Sequence, residues 1–123
     1  MILVDTSVWV EHLRVASAIL TELLDHGEIL GHPFVLGELA LGSLRQRERF
    51  LSDLRDLPQA VVAEDEEVFR MIDRQALFGR GIGYVDAHLL AAARLTAGSR
   101  LWTRDRRLQA VAAGLSLAAA LSR

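Results

Sequence analysis

Short apolar runs alternate with longer amphipathic stretches along almost the whole chain, and this alternation leaves few fold classes open. The opening run Met1-Ile2-Leu3-Val4 is apolar throughout, and residues 1–5 read as a buried strand. Asp5, Thr6 and Ser7 are each competent N-caps, so a short helix is expected through about Arg14. Ile19, Leu20, Leu23 and Leu24 lie at helical spacing, which predicts a second helix from about Ser17, with Gly27 as its stop. Residues 28–31 read as a second strand. His32-Pro33 begins a largely apolar helix ending near Gly42, and residues 45–57 form an exposed helix that Pro58 breaks. Residues 59–63 read as a third strand and 65–78 as a helix, whose opening Asp65, Glu66 and Glu67 suit the positive end of its dipole. A glycine-rich loop over 79–83 leads to a helix over 85–97, a strand over 100–103, a helix over 105–113 and a last strand over 115–119. Such an order implies an α/β fold with a mostly parallel sheet covered on both faces. A chain of 123 residues without repeat or linker fits a single domain over 1–123.

Four acids interrupt the apolar stretches. Asp5 ends the first run. Glu38 is the only charge between Glu28 and Arg45. Asp86 lies between Gly83-Tyr84-Val85 and Ala87-His88-Leu89-Leu90, and Asp105 follows Leu101-Trp102-Thr103-Arg104. An unpaired buried carboxylate is costly, so such groups are normally paired, protonated or bound to metal. Ligands of parallel sheets sit beyond the carboxyl ends of the strands, and the expected elements can bring all four acids to that rim. Two carboxylates about 5 Å apart repel by roughly 3 kcal/mol at an effective dielectric near 20. A divalent cation relieves that repulsion, and an all-oxygen donor set favours Mg²⁺ or Mn²⁺ over zinc. The chemistry this supports is metal-assisted attack of water on a phosphodiester. Taken one at a time, Asp5, Asp86 and Asp105 can equally be helix N-caps.

Composition narrows the alternatives. Cysteine is absent, which excludes disulfides, thiolate metal sites and cysteine nucleophiles. The formal charge is -2, which argues against a generic basic nucleic-acid binder. All 14 Lys+Arg residues are arginine, so any mechanism that needs a lysine is excluded. No signal-peptide pattern or membrane-length apolar run is seen, and the expected location is the cytoplasm.

In four places the chain resembles the PIN-domain family, and in particular the VapC toxins of type II (VapBC) bacterial toxin–antitoxin pairs. The matching pieces are Ile2-Leu3-Val4-Asp5-Thr6-Ser7-Val8-Trp9, then Glu38, then Gly83-Tyr84-Val85-Asp86-Ala87-His88-Leu89, then Leu101-Trp102-Thr103-Arg104-Asp105-Arg106-Arg107-Leu108. They occur in the family's order over essentially the whole chain. The resemblance implies a three-layer α/β/α sandwich and a Mg²⁺- or Mn²⁺-dependent endoribonuclease. It implies that Asp5, Glu38, Asp86 and Asp105 are the catalytic and metal-binding acids, with Ser7 and Thr103 as supporting hydroxyls. It also implies a homodimer and a small VapB-like antitoxin. In relatives the antitoxin's C-terminal segment crosses the groove beside the site, often presenting an arginine to the acids. The helices around 17–26 and 46–57 are candidate partner surfaces.

Arg80 in the glycine loop, with Arg104, Arg106 and Arg107 beside Asp105, can grip RNA phosphates. The same arginines can be ordinary solvated side chains. His12, His26, His32 and His88 share no metal-ligand spacing. Two other readings remain in view. A receiver-type or haloacid-dehalogenase-like phosphotransfer protein would need a lysine that is missing here. A non-catalytic PIN scaffold would keep the fold without cleavage.

Overall fold

The computed structural model describes residues 1–121, so the last two residues of the expected domain lie outside the described residues. A parallel sheet forms the centre, with β1 (Ile2–Val4) between β2 (Ile29–Leu30) and β3 (Arg100–Trp102). Ile2 and Leu3 pair with Ile29 and Leu30 on one side, while Leu3 and Val4 pair with Leu101 and Trp102 on the other. Among the described residues seven helices surround it: α1 (Thr6–Arg14), α2 (Ala18–Asp25), α3 (Pro33–Ala40), α4 (Arg47–Arg55), α5 (Asp65–Arg74), α6 (Tyr84–Leu95) and α7 (Arg106–Gly114). The result is an α/β sandwich.

Two expected strands shrink to single parallel bridges, Gly31 with Gln59 beside β2 and Leu101 with Ala118 beside β3. Pro58 has no N–H to extend the first ladder. Beyond Ala60 the chain turns away, and the Val61 N–H goes to Thr96 Oγ1 at 2.8 Å instead of a strand. Leu117 takes the Ala112 carbonyl as well as bridging to Leu101, so the final segment is tied to the end of α7. The helix expected over 65–78 stops at Arg74. Ala76 adopts a left-handed φ of 51° there, and Leu77 N–H reaches back to the Ile72 carbonyl at 2.9 Å. This is a Schellman closure without glycine, secured by burial of Leu77.

Topology places the site. From β1 the chain moves through β2 to Gln59 in one direction. It then crosses back, enters the sheet on the other side of β1 as β3, and continues outward to Ala118. Right-handed crossovers in opposite directions put helices on both faces and leave a crevice between the carboxyl ends of β1 and β3. Asp5 follows β1 and Asp105 stands three residues after Trp102. The core beneath is led by Leu3, Val4, Leu20, Leu89, Leu90, Leu101 and Leu108. Every residue from Ala87 to Ala93 in α6 is buried, and its alanines allow close approach on several sides. Trp9 is core and edge-on to Phe50, while Trp102 is half-buried against the same core. Among the described residues, no helix is long and apolar enough to cross a membrane.

Candidate active site

The three acids that can be caps behave in three different ways. Asp5 occupies the N-cap position of α1, yet its side chain makes no capping bond. It is only 6% exposed, and Oδ2 accepts from Ser7 Oγ and Thr103 Oγ1, each at 2.7 Å. Those hydroxyls are fixed in turn, because Ser7 Oγ accepts the Arg104 N–H at 3.0 Å and Thr103 Oγ1 accepts the Asp105 N–H at 3.1 Å. Each hydroxyl therefore has its proton aimed at Asp5. Asp105, by contrast, is an exposed and working cap: its Oδ1 accepts from Arg107 N at 2.9 Å and Leu108 N at 3.0 Å. Asp86 is intermediate. It is partly buried in the first turn of α6, and its Oδ2 accepts the Gly83 N–H at 2.9 Å.

Glu38 departs from the expectation of an apolar setting. It is exposed on α3, and its Oε1 accepts from Thr6 Oγ1 at 2.6 Å. Its neighbours in sequence are apolar, but helical geometry turns Val35 and Leu39 into the core and Glu38 outward. Thr6 is thus a residue whose part the sequence concealed. It ties the start of α1 to Glu38, and the only sequence signal was a hydroxyl in the cap cluster.

Charge links the four acids. The Asp86 carboxyl is held above its ordinary range, first by burial; the Gly83 N–H opposes this, and the charges of Asp5, Asp105 and Glu38 add to it. Asp5, Glu38 and Asp105 are therefore close enough for their charges to act on Asp86. They converge without closing: among the described residues, no three acidic or histidine side chains form a ready cage for a metal ion.

Of the arginines expected near the site, Arg104 and Arg107 adjoin it through their backbone N–H groups, on Ser7 Oγ and Asp105 Oδ1. Arg80, Arg104, Arg106 and Arg107 are all exposed, and among the described residues none of them forms a salt bridge. Arg107 lies across the glycine loop. Gly81 has φ +81°, a backbone setting that favours glycine, and a Cβ there would come 2.6 Å from Arg107 Cδ and displace that side chain. The apolar sides of α2 and α4, by comparison, face inward through Leu20, Leu51 and Leu54. The exposed large apolar residues lie elsewhere, with Val10, Leu13 and Val15 on and just after α1 and Leu41 after α3. Beside Glu38, a cleft of about 400 Å³ is lined by Thr6, Val10, Leu13, Leu39 and Leu44.

A central parallel sheet with this switch point and an acidic rim defines a class, and the sequence profile of the PIN domain matches residues 2–114. The chain belongs to the PIN-domain family. It is 53% identical over 124 aligned residues to Ribonuclease VapC32 of Mycobacterium tuberculosis strain CDC 1551 / Oshkosh, with 99% of this chain and all of that protein covered. The same identity and coverage hold for Ribonuclease VapC32 of Mycobacterium tuberculosis strain ATCC 25618 / H37Rv. Membership removes the receiver and phosphatase readings.

Proposed function

We propose that this chain is a VapC-type toxin, a divalent-metal-dependent endoribonuclease in which Asp5, Glu38, Asp86 and Asp105 form the acidic site. The observation that carries the reading is the treatment of Asp5: a buried carboxylate, held by two aimed hydroxyls, with its capping role given up. Kinship with ribonucleases over the full length supports the same activity. Mg²⁺ or Mn²⁺ fits the donor set, since every candidate ligand is a carboxylate oxygen, and the Asp86 carboxyl, raised first by burial, also feels the charges of the other three acids.

The bound ion would lower the pKa of an attacking water and polarise the scissile phosphate. The chain's own residues do the rest. Ser7 and Thr103 hold Asp5 through Oδ2 and fix its rotamer, leaving Oδ1 for the ion. Thr6 orients Glu38, and Gly83 orients Asp86. Arg80, Arg104, Arg106 and Arg107 meet the RNA backbone, with Gly81 seating Arg107 beside the acids. The apolar cleft next to Glu38 suits the tail of a VapB-like antitoxin. A homodimer acting in the cytoplasm as a single PIN domain completes the reading.

Purified protein should cut RNA with Mg²⁺ or Mn²⁺ and stop when EDTA is added. Cleavage that persists in EDTA would overturn the metal-dependent reading, and no cleavage with either ion would favour a scaffold.

A further inference from the structure

Asp65 has no part in the proposed reaction, yet two side chains that flank Asp86 close on it. It is the first residue of α5, and Tyr84 is the first of α6. Asp65 Oδ1 accepts the Tyr84 hydroxyl at 2.6 Å and lies 3.0 Å from His88 Nε2. A carboxylate only accepts, so His88 meets it with an Nε2–H, which the charged ring and one neutral tautomer both carry. The Tyr84 bond first and the His88 bond next hold the Asp65 carboxyl below its ordinary range, with burial opposing them.

The usual duties of an acid at a helix start do not account for this placement. Such a residue commonly serves the cap or the helix dipole. In α5 the start is closed by Glu67, whose Oε1 accepts the Glu64 N–H at 3.0 Å, and the Asp65 side chain turns to the neighbouring helix instead.

What Asp65 holds is a helix start that needs holding. The first N–H groups of any helix have no intrahelical partner. The chain enters α6 through a loop whose Gly79 and Gly81 take positive φ of 71° and 81°, residues of wide backbone freedom. Within the first turn, Asp86 Oδ2 accepts the Gly83 N–H at 2.9 Å. Tyr84 and His88 are four apart and share a helix face, whereas Asp86, two from each, points to another side. Asp65 therefore grips the turn from one side while the Asp86 carboxylate projects from a different one. Packing adds to the grip: the Tyr84 ring lies 5.7 Å from Phe69 of α5 and stands edge-on to the buried His88 at 4.8 Å.

We propose that Asp65 is a positioning residue for the acidic site: by holding Tyr84 and His88 it fixes the first turn of α6, and with it the direction of the Asp86 carboxylate. It acts through the helix and touches neither ion nor RNA. The clamp stands on the two contacts; its consequence for metal binding and cleavage rests on the proposed acidic site.

The test uses the full-length protein, with Mn²⁺ as the probe of the site and RNA cleavage as a separate readout. Asp65→Ala removes the acceptor, and Tyr84→Phe keeps the ring and its packing but loses the hydroxyl. Asp65→Ala should weaken Mn²⁺ binding about tenfold, the usual loss when a group supporting a metal ligand is removed, and Tyr84→Phe should weaken it by less. At saturating Mn²⁺, kcat should fall while KM for RNA stays near that of the wild type. Once Asp65 is alanine, adding Tyr84→Phe should cost nothing further. Asp65→Asn, which keeps an oxygen for the same two donors, should recover most of the affinity. Glu66→Ala removes an exposed charge beside Asp65 and should bind Mn²⁺ as the wild type does. Undiminished Mn²⁺ affinity in Asp65→Ala, additive losses in the double variant, or an equal loss in Asp65→Asn or Glu66→Ala would overturn the positioning role. Should Asp65→Ala fail to fold, Tyr84→Phe decides: unchanged Mn²⁺ affinity and kcat would overturn it. If Mn²⁺ affinity follows the expected pattern and the wild type cuts no RNA, the clamp stands and the ribonuclease reading alone has failed. Metal-dependent cleavage that Asp65→Ala leaves unimpaired sinks only the clamp.

Discussion

The ends of β1 and β3 are neighbours with the same local plan: a buried strand, then an aspartate, then the first turn of a helix. Asp105 uses that plan in the ordinary way, facing solvent and capping α7 through Oδ1. Asp5 does not. It keeps the cap backbone of α1, but its carboxylate turns inward to Ser7 and Thr103. Losing a cap bond costs about 1 kcal/mol, and burying a charge costs more. A side chain held against both costs points to a task other than folding.

The difference between the two aspartates can be broken experimentally. Asp5→Asn should reduce metal-dependent RNA cleavage by on the order of 10³-fold or more, the scale of losing one member of a catalytic constellation. Its melting temperature without metal should stay level or rise, since a buried charge is removed. A large fall in melting temperature with cleavage retained would mean that Asp5 is structural. The end of β2 supplies the next largest effect through His32. Its folded pKa of about 4 lies below the ordinary value of 6.5. The unfolded chain therefore binds more protons between those values, and stability is lost as pH falls from about 6.5 towards 4. The full loss is roughly 3 kcal/mol, and denaturant melts across that range should lose this slope in His32→Asn.

Thr103→Val removes a hydroxyl that serves both strand ends, donating to Asp5 and accepting from the Asp105 N–H. Stability should fall by about 1–3 kcal/mol, and cleavage should fall about 10- to 100-fold. Unchanged cleavage would detach Thr103 from the site. Asp105 gives the smallest stability effect. Asp105→Ala should cost about 1 kcal/mol of α7 stability, while Asp105→Asn keeps a good cap and should cost little. Both should impair cleavage if the carboxylate binds the ion, so Asp105→Asn, with near wild-type stability and reduced cleavage, separates the two roles.

Much of this was legible in the chain. Alternating apolar runs and amphipathic stretches revealed the parallel α/β class, because burial on both faces of a strand demands an unbroken apolar run. The positions of β1, β2 and β3 and of most helices followed from caps, glycines and Pro58. The strands expected over 59–63 and 115–119 failed because β-pairing depends on what lies alongside, and each segment finds a partner only at one bridge. The end of α5 failed because Ala76, not a glycine, takes the left-handed turn. A buried Leu77 stabilises that turn, which no local pattern reports.

The sequence by itself determined which acids interrupt the apolar stretches, that no lysine or cysteine chemistry is available, and what family the order of motifs resembles. These are properties of residue identity and spacing. Only the tertiary structure decided that Asp5 is buried and Glu38 exposed, that Thr6, Ser7 and Thr103 orient acids, and that His32 and His88 are buried. Each depends on side-chain direction and on contacts between residues up to 98 positions apart. Spacing along a chain fixes neither.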